Sequence, residues 1–194
     1  MLEAIERDAF TALDLMDVTL GDNSGRVIHL LSASTVGVGY PVNVAAIANR
    51  LKWLRANCYI AGAVGASIGT PLFDCEIAYD GAPARHKRLT GLMLNNTRHV
   101  ANFVAFPEAR LDDGYFHAIE ARAGALRQNL HNFSAASGLN FYSSARPQKV
   151  RDAKMRFASA LSVLIDGEVR TDVIALEVRI APRALHHCLR RAAQ

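Results

Sequence analysis

Cysteine and lysine are both scarce in this chain, and no apolar run is long enough to cross a bilayer. The three cysteines, Cys58, Cys75 and Cys188, are odd in number and far apart. There is no Cys-x-x-Cys pair and no Cys/His zinc spacing, so a disulfide framework and a zinc ribbon are excluded. Buried free thiols in a reducing cytosol are the expectation. Lysine occurs only at Lys52, Lys87, Lys149 and Lys154. The net charge of +4 therefore rests on arginine, and no basic block exceeds the pair Arg190-Arg191. Scattered arginines make a basic solvated surface; they give no nucleic-acid-binding stripe, though anionic headgroups stay compatible with the pI of 9.2. The uncharged stretch of residues 56–73 holds Asn57, three glycines and Pro71. Its apolar part falls short of the ~20 residues a spanning helix needs, and a buried helix is expected there. No repeat period recurs, and 51% hydrophobic residues with so small a net charge exclude disorder.

A chain of 194 residues can bury a large core without staples, and one domain over 1–194 is expected. The charged N-terminus (Glu3, Glu6, Arg7, Asp8) reads as a short amphipathic helix over 2–10 rather than a signal peptide. Residues 13–18 alternate as a half-buried strand does. Gly21-Asp22-Asn23-Ser24-Gly25 is a turn, and residues 26–34 return as a second strand. Thr35-Val36-Gly37-Val38-Gly39 reads as a loop packed tightly on the helix of residues 42–54. As a phosphate loop it lacks the third glycine and a following Lys-Ser/Thr. Residues 58–68 form a second helix, small-residue-rich and closely packed.

Beyond Pro71 the period becomes two. Phe73, Cys75, Ile77 and Tyr79 alternate with polar residues up to the hairpin signal Asp80-Gly81. Strands are expected over 84–94, 100–106, 115–120, 153–158, 161–165 and 173–180, with a short one near 185–189 and a helix over 121–136. Strands outnumber helices. The fold class is mainly β (α+β): an antiparallel β-sandwich or barrel with inserted helices.

Two acidic turns could carry chemistry. In Pro107-Glu108-Ala109-Arg110-Leu111-Asp112-Asp113-Gly114, carboxylates and turn carbonyls could hold a hard cation; a plain turn is the other reading. Asp166-Gly167-Glu168 is either a simple hairpin or a carboxylate pair in which one group takes a proton and the other orients it. The seven histidines show no metal pattern.

These turns sit in an ordered series with Ser32-Ala33-Ser34-Thr35-Val36-Gly37-Val38-Gly39-Tyr40, Tyr59-Ile60-Ala61-Gly62, Asn95-Asn96 and Pro182-Arg183-Ala184-Leu185. In that order the motifs resemble the C-terminal half of the diacylglycerol kinase and sphingosine kinase-like lipid kinases. The resemblance spans nearly the whole chain. It implies a lipid-binding domain at whose cleft Glu168 is the base for a lipid hydroxyl and Asp166 its partner. It also implies a structural magnesium ion held by the Asp113 side chain with carbonyls of Arg110 and Tyr115. ATP-magnesium would supply the phosphoryl group. The family's Gly-Gly-Asp-Gly-Thr nucleotide motif occurs nowhere here, so the expected partner is a missing N-terminal ATP-binding domain, and the chain alone should be inactive. Val100-Ala101-Asn102-Phe103 stands where the family has a glycine cluster, which leaves the lipid open. The implied location is the cytoplasm, peripheral at the membrane surface. The alternative function is a stand-alone, non-catalytic module binding a lipid or another apolar ligand. A homodimer through an exposed sheet edge, or through the apolar patch on which the missing domain would dock, is a further expectation.

Overall fold

The computed structural model describes residues 10–100, 103–104, 106–122 and 147–188. The helix expected over 2–10 lies outside them except for Phe10, which opens a strand instead, and nearly all of the helix expected over 121–136 lies outside them too. Fifteen elements follow one another: β1 (Phe10–Asp22), β2 (Val27–Ser32), β3 (Thr35–Gly39), α1 (Tyr40–Arg50), a 3₁₀ helix (Lys52–Asn57), α2 (Cys58–Gly69), β4 (Phe73–Tyr79), β5 (Arg85–Leu89), β6 (Gly91–Asn95), β7 (His99–Val100), β8 (Phe103–Val104), β9 (Phe116–Ala121), β10 (Gln148–Val150), β11 (Asp152–Ile165) and β12 (Glu168–Cys188).

Every strand pairing is antiparallel. Among the described residues ten strands form one branched sheet: eight run in the order β10-β9-β6-β3-β11-β12-β1-β2, β4 pairs with β11 and carries β5, and β7-β8 is a separate ribbon. Among the described residues the sheet ends at β10, β2 and, on its branch, β5, so it is open rather than a closed barrel. The branch lies at β11. Its first half pairs with β4 (Ala153 opposite Tyr79) and its second half with β3 (Val163 opposite Val38). Between the halves the register against β12 shifts at Arg156–Leu161. A bulge of this kind bends a strand and lets it serve two layers. What reads in the sequence as two strands, 153–158 and 161–165, is one bent strand, and the segments 173–180 and 185–188 are both part of β12.

The period of two explains the core. Met16, Val18 and Leu20 of β1 are buried, as are Phe73, Cys75 and Ile77 of β4; they meet Val36, Leu94, Phe116, Val163 and Val178 in one cluster. Each such side chain contributes roughly 1.5–3 kcal/mol through burial. The expected strand over 84–94 breaks at Thr90: β5 pairs with β4, while β6 lies between β3 and β9.

The glycine-punctuated segment Thr35–Gly39 is not a loop, because it has strand partners on both sides. Its glycines do serve close packing. A Cβ on Gly37 would lie 2.6 Å from the Pro41 Cβ, and one on Gly39 (φ +69°) would lie 2.6 Å from the Thr90 carbonyl oxygen. Thus α1 can start at once from the end of β3. Helix α2 then lies against α1 through Cys58, Gly62 and Ala66. A Cβ on Gly62 would come 2.7 Å from the Val44 carbonyl oxygen, so no larger residue permits this approach.

Candidate functional site

The Asp166-Gly167 pair joins β11 to β12 as a two-residue hairpin, with Ile165 opposite Glu168. Both turn residues have positive φ, 46° and 94°. Asp and Gly are the residues that tolerate this conformation. The Asp166 carboxylate then reaches the β2–β3 connection. Its Oδ1 accepts from Ser32 Oγ (3.0 Å), Ser34 N (3.0 Å) and Thr35 N (2.8 Å), and its Oδ2 from Ala33 N (2.8 Å). The Asp166 amide donates to the Thr35 carbonyl at 2.9 Å. All four carboxylate bonds go to residues 32–35. Asp166 is therefore a clamp that fixes the hairpin, and its carboxylate makes no bond to Glu168.

Glu168 follows as the first residue of β12. Its side chain is 73% exposed and pairs with Arg170 Nη2 at 2.8 Å. An exposed pair of this kind is worth little in stability. The carboxylate thus stands in solvent on an anchored turn.

The second acidic turn is held by a residue that the motifs passed over. Asp14 is 2% exposed. Its Oδ2 accepts from Gly114 N (2.7 Å) and its Oδ1 from Arg183 N (2.8 Å). Its amide donates to the Leu111 carbonyl, and its carbonyl accepts from Asn96 Nδ2, both at 2.7 Å. One carboxylate thereby ties the 107–114 turn to β12. The signal was present in the sequence: Asp14 shares the even phase of Met16, Val18 and Leu20, which is the buried face of β1.

Within this turn the expected cation ligands have other partners. Asp113 Oδ1 accepts from Tyr115 N (3.2 Å), and Lys149 Nζ stands 3.2 Å from Asp113 Oδ2. The Arg110 guanidinium clasps Asp112 at 3.0 and 3.3 Å and holds its carboxyl below the usual range. The Tyr115 ring lies under Arg151 (4.4 Å) and Lys149 (5.7 Å). The donor set contains one carboxylate, already neutralised by an ammonium group. The residues present do not fit a magnesium ion unless Lys149 leaves, because two cations on one carboxylate oxygen repel. Among the described residues no group of three or more His, Cys, Asp or Glu side chains could hold a metal.

The two turns are joined by a polar row across four strands. Thr35, Asn95, His117 and Lys149 lie opposite one another on β3, β6, β9 and β10. The row begins at the Asp166 clamp and ends at Asp113. Three strand spacings make it about 14 Å wide, so the turns do not form one carboxylate pair. Thr35 Oγ1 donates to Asn95 Oδ1, and both side chains are buried. His117 is buried beside the Phe106 ring, with neither ring nitrogen partnered. Burial, reinforced by Lys149, holds it below the ordinary histidine range.

No family model matches the chain. No curated protein sequence matches it. Solved structures do. One assigned as a diacylglycerol kinase of Bacillus anthracis strain Sterne superposes with a TM-score of 0.70 at 15% identity, over 98% of this chain and 61% of that one. Another structure described as a diacylglycerol kinase from the same strain gives 0.66 at 14% identity, over 97% and 60%. Yeast NADH kinase complexed with NADH gives 0.55 at 11% identity, over 95% and 45%. The chain therefore spans about three fifths of the Bacillus structures and less of the yeast one. At these identities the likeness is one of fold: this chain folds as a large part of those kinases does.

Proposed function

We propose that this chain is the substrate-binding domain of an ATP-dependent lipid kinase, acting on a diacylglycerol-like alcohol together with a nucleotide-binding domain. The observation that carries the reading is Glu168, a solvent-facing carboxylate on a clamped hairpin, in a fold shared with diacylglycerol kinase structures over nearly the whole chain.

The chemistry is that of a positioned base. A primary alcohol is a weak nucleophile at neutral pH, and a carboxylate within hydrogen-bond reach accepts its proton as the oxygen attacks phosphorus. Glu168 has that role, and the incoming hydroxyl competes with Arg170 for its Oε2. Asp166 positions Glu168 through the backbone and takes no proton. Phosphoryl transfer depends mainly on alignment and charge neutralisation, which the nucleotide-bearing domain supplies. No step is assigned to a metal at Asp113.

The test is transfer from labelled ATP-magnesium to a panel of lipid alcohols in mixed micelles. The nucleotide-binding part of the Bacillus anthracis kinase is fused ahead of this chain. Transfer by the fusion, lost in Glu168→Gln and absent from the chain alone, supports the reading. Undiminished transfer in Glu168→Gln removes Glu168 from the mechanism. A folded fusion that binds no lipid alcohol, by native mass spectrometry, refutes the function.

A further inference from the structure

The 107–114 turn is organised by the chain's own groups. Its carbonyls already have donors: Arg98 Nε reaches the Pro107 oxygen (2.9 Å), and the Asp14 amide reaches that of Leu111 (2.7 Å). Arg110 holds the Asp112 carboxylate, and Asp14 holds the Gly114 amide. Asp113 lies deeper than Asp112, with its side chain 15% exposed against 46%. A carboxylate taken this far from water needs a cation and donors of its own.

Lys149 supplies the cation. It stands on β10 directly opposite His117, so the β9–β10 ladder fixes its backbone. Its Nζ lies 3.2 Å from Asp113 Oδ2 and 5.7 Å from the centre of the Tyr115 ring. That ring is itself held, because Arg151 Nη2 donates to its hydroxyl at 2.7 Å. The other carboxylate oxygen, Oδ1, accepts from the Tyr115 amide at 3.2 Å. Both oxygens are thus used from within the chain.

The residue type fits the same role. Only four of the 22 basic side chains are lysines, and one of them stands here. Arginine is a planar fork, whereas an ammonium is a compact point charge and so closer in form to a metal ion. Magnesium needs a near-octahedral oxygen shell at about 2.0–2.1 Å. An ion that close to Oδ2 shares the oxygen with the ammonium, and the two cations repel.

We propose that Lys149 is the built-in cation of the 107–114 turn. Its ammonium takes the structural place that the lipid-kinase resemblance gives to magnesium, and the domain folds independently of divalent cations. The inference uses no feature of the Glu168 hairpin and stands apart from the kinase reading.

The lysine then masks a latent cation site, and removing it is the test. The 194-residue chain and its Lys149→Met variant are titrated with terbium(III), read by tyrosine-sensitised luminescence, and with magnesium, read by melting temperature. The parent should give no more luminescence than Asp113→Asn, and magnesium should not move its melting temperature. Lys149→Met keeps the side-chain length without the charge. It should melt roughly 2–4 °C lower. It should also bind terbium about tenfold tighter than the parent, since no ammonium opposes the ion, and lose that gain when Asp113→Asn is added. Lys149→Arg, which keeps the charge, should stay insensitive to both ions. If Lys149→Met misfolds, Lys149→Gln is read in the same way.

Ion binding by the parent that Asp113→Asn abolishes overturns the proposal, because the ion then displaces the lysine. A lower melting temperature or a gained, Asp113-dependent cation site in Lys149→Met supports it. The absence of both overturns it and leaves the pair as a surface contact. No phosphoryl transfer is measured, so failure here leaves the Glu168 reading standing, and loss of that reading leaves this one.

Discussion

Replacing Asp166 separates a clamp from a catalytic carboxylate. Asp166→Ala leaves the Ser32 hydroxyl and the amides of Ala33, Ser34 and Thr35 without their acceptor. The bonds from Ala33 and Ser34 are exposed, so water replaces them at little cost. Those from Ser32 Oγ and Thr35 N are partly buried, and each loses about 1.5 kcal/mol, the value for a hydrogen bond to a charged group. The φ of 46° adds about 1 kcal/mol of strain for alanine. The expected loss is about 4 kcal/mol, which for a chain of this size lowers the melting temperature by roughly 8–16 °C.

Asp166→Gly loses the same bonds without the strain. It should be up to about 1 kcal/mol less damaging, after allowance for glycine's larger unfolded-state entropy. Asp166→Asn keeps one acceptor oxygen and tolerates the left-handed turn, so it should lose about 1 kcal/mol. Differential scanning calorimetry on the three variants gives the ranking Asn, Gly, Ala. A melting temperature for Asp166→Ala within about 2 °C of the parent refutes the clamp. Stability of Asp166→Ala above Asp166→Gly refutes the strain term.

Three further expectations follow from the same geometry. Asp14→Ala strands the partly buried amides of Gly114 and Arg183 and should cost about 3 kcal/mol, seen as a lower urea midpoint; a loss under ~1 kcal/mol contradicts its place in the fold. Because Lys149 already occupies Asp113 Oδ2, millimolar magnesium or EDTA should leave the melting temperature unchanged, and a magnesium-dependent rise shows instead that the ion displaces the lysine. Burial, with Glu120 nearby, pushes the Cys75 thiol up to about 11. At pH 8 only about one molecule in a thousand then carries the thiolate, so iodoacetamide mapping should find Cys75 unmodified in the folded chain; labelling as fast as in urea refutes its burial.

The period of two made most strands legible. Phe73, Cys75 and Ile77 alternate in the sequence and are the buried residues of β4. Partner choice was not legible. Residues 153–165 look like two strands because the alternation lapses near Arg156–Leu161, and the lapse is the bulge that lets β11 bend between β4 and β3. Likewise Thr35–Gly39 looks like a loop because its glycines weaken strand propensity. Its place between β6 and β11 overrides that preference, and the glycines answer to Pro41 and Thr90, which no local pattern could reveal.

The acidic turns show a second limit. Asp80-Gly81 and Asp166-Gly167 were both readable as hairpin turns, yet each aspartate also grips a distant strand. Asp80 Oδ1 accepts from Arg151 N and Asp152 N while its amide bonds the Asp152 carbonyl. Asp166 does the same to residues 32–35. The partners lie 71–72 residues away in one case and 131–134 in the other. A carboxylate beside a positive-φ glycine therefore need not be a spare acid waiting for a substrate. With Asp166 spent on the β2–β3 connection and Asp113 on Lys149, Glu168 is the acid of the Asp166-Gly167-Glu168 turn that stays in solvent. The catalytic reading rests on Glu168 alone, and its competition with Arg170 becomes the quantity to measure: Arg170→Gln frees the carboxylate for a hydroxyl and should change the KM for the lipid alcohol, while a change confined to stability would show the pair to be a surface bond and nothing more.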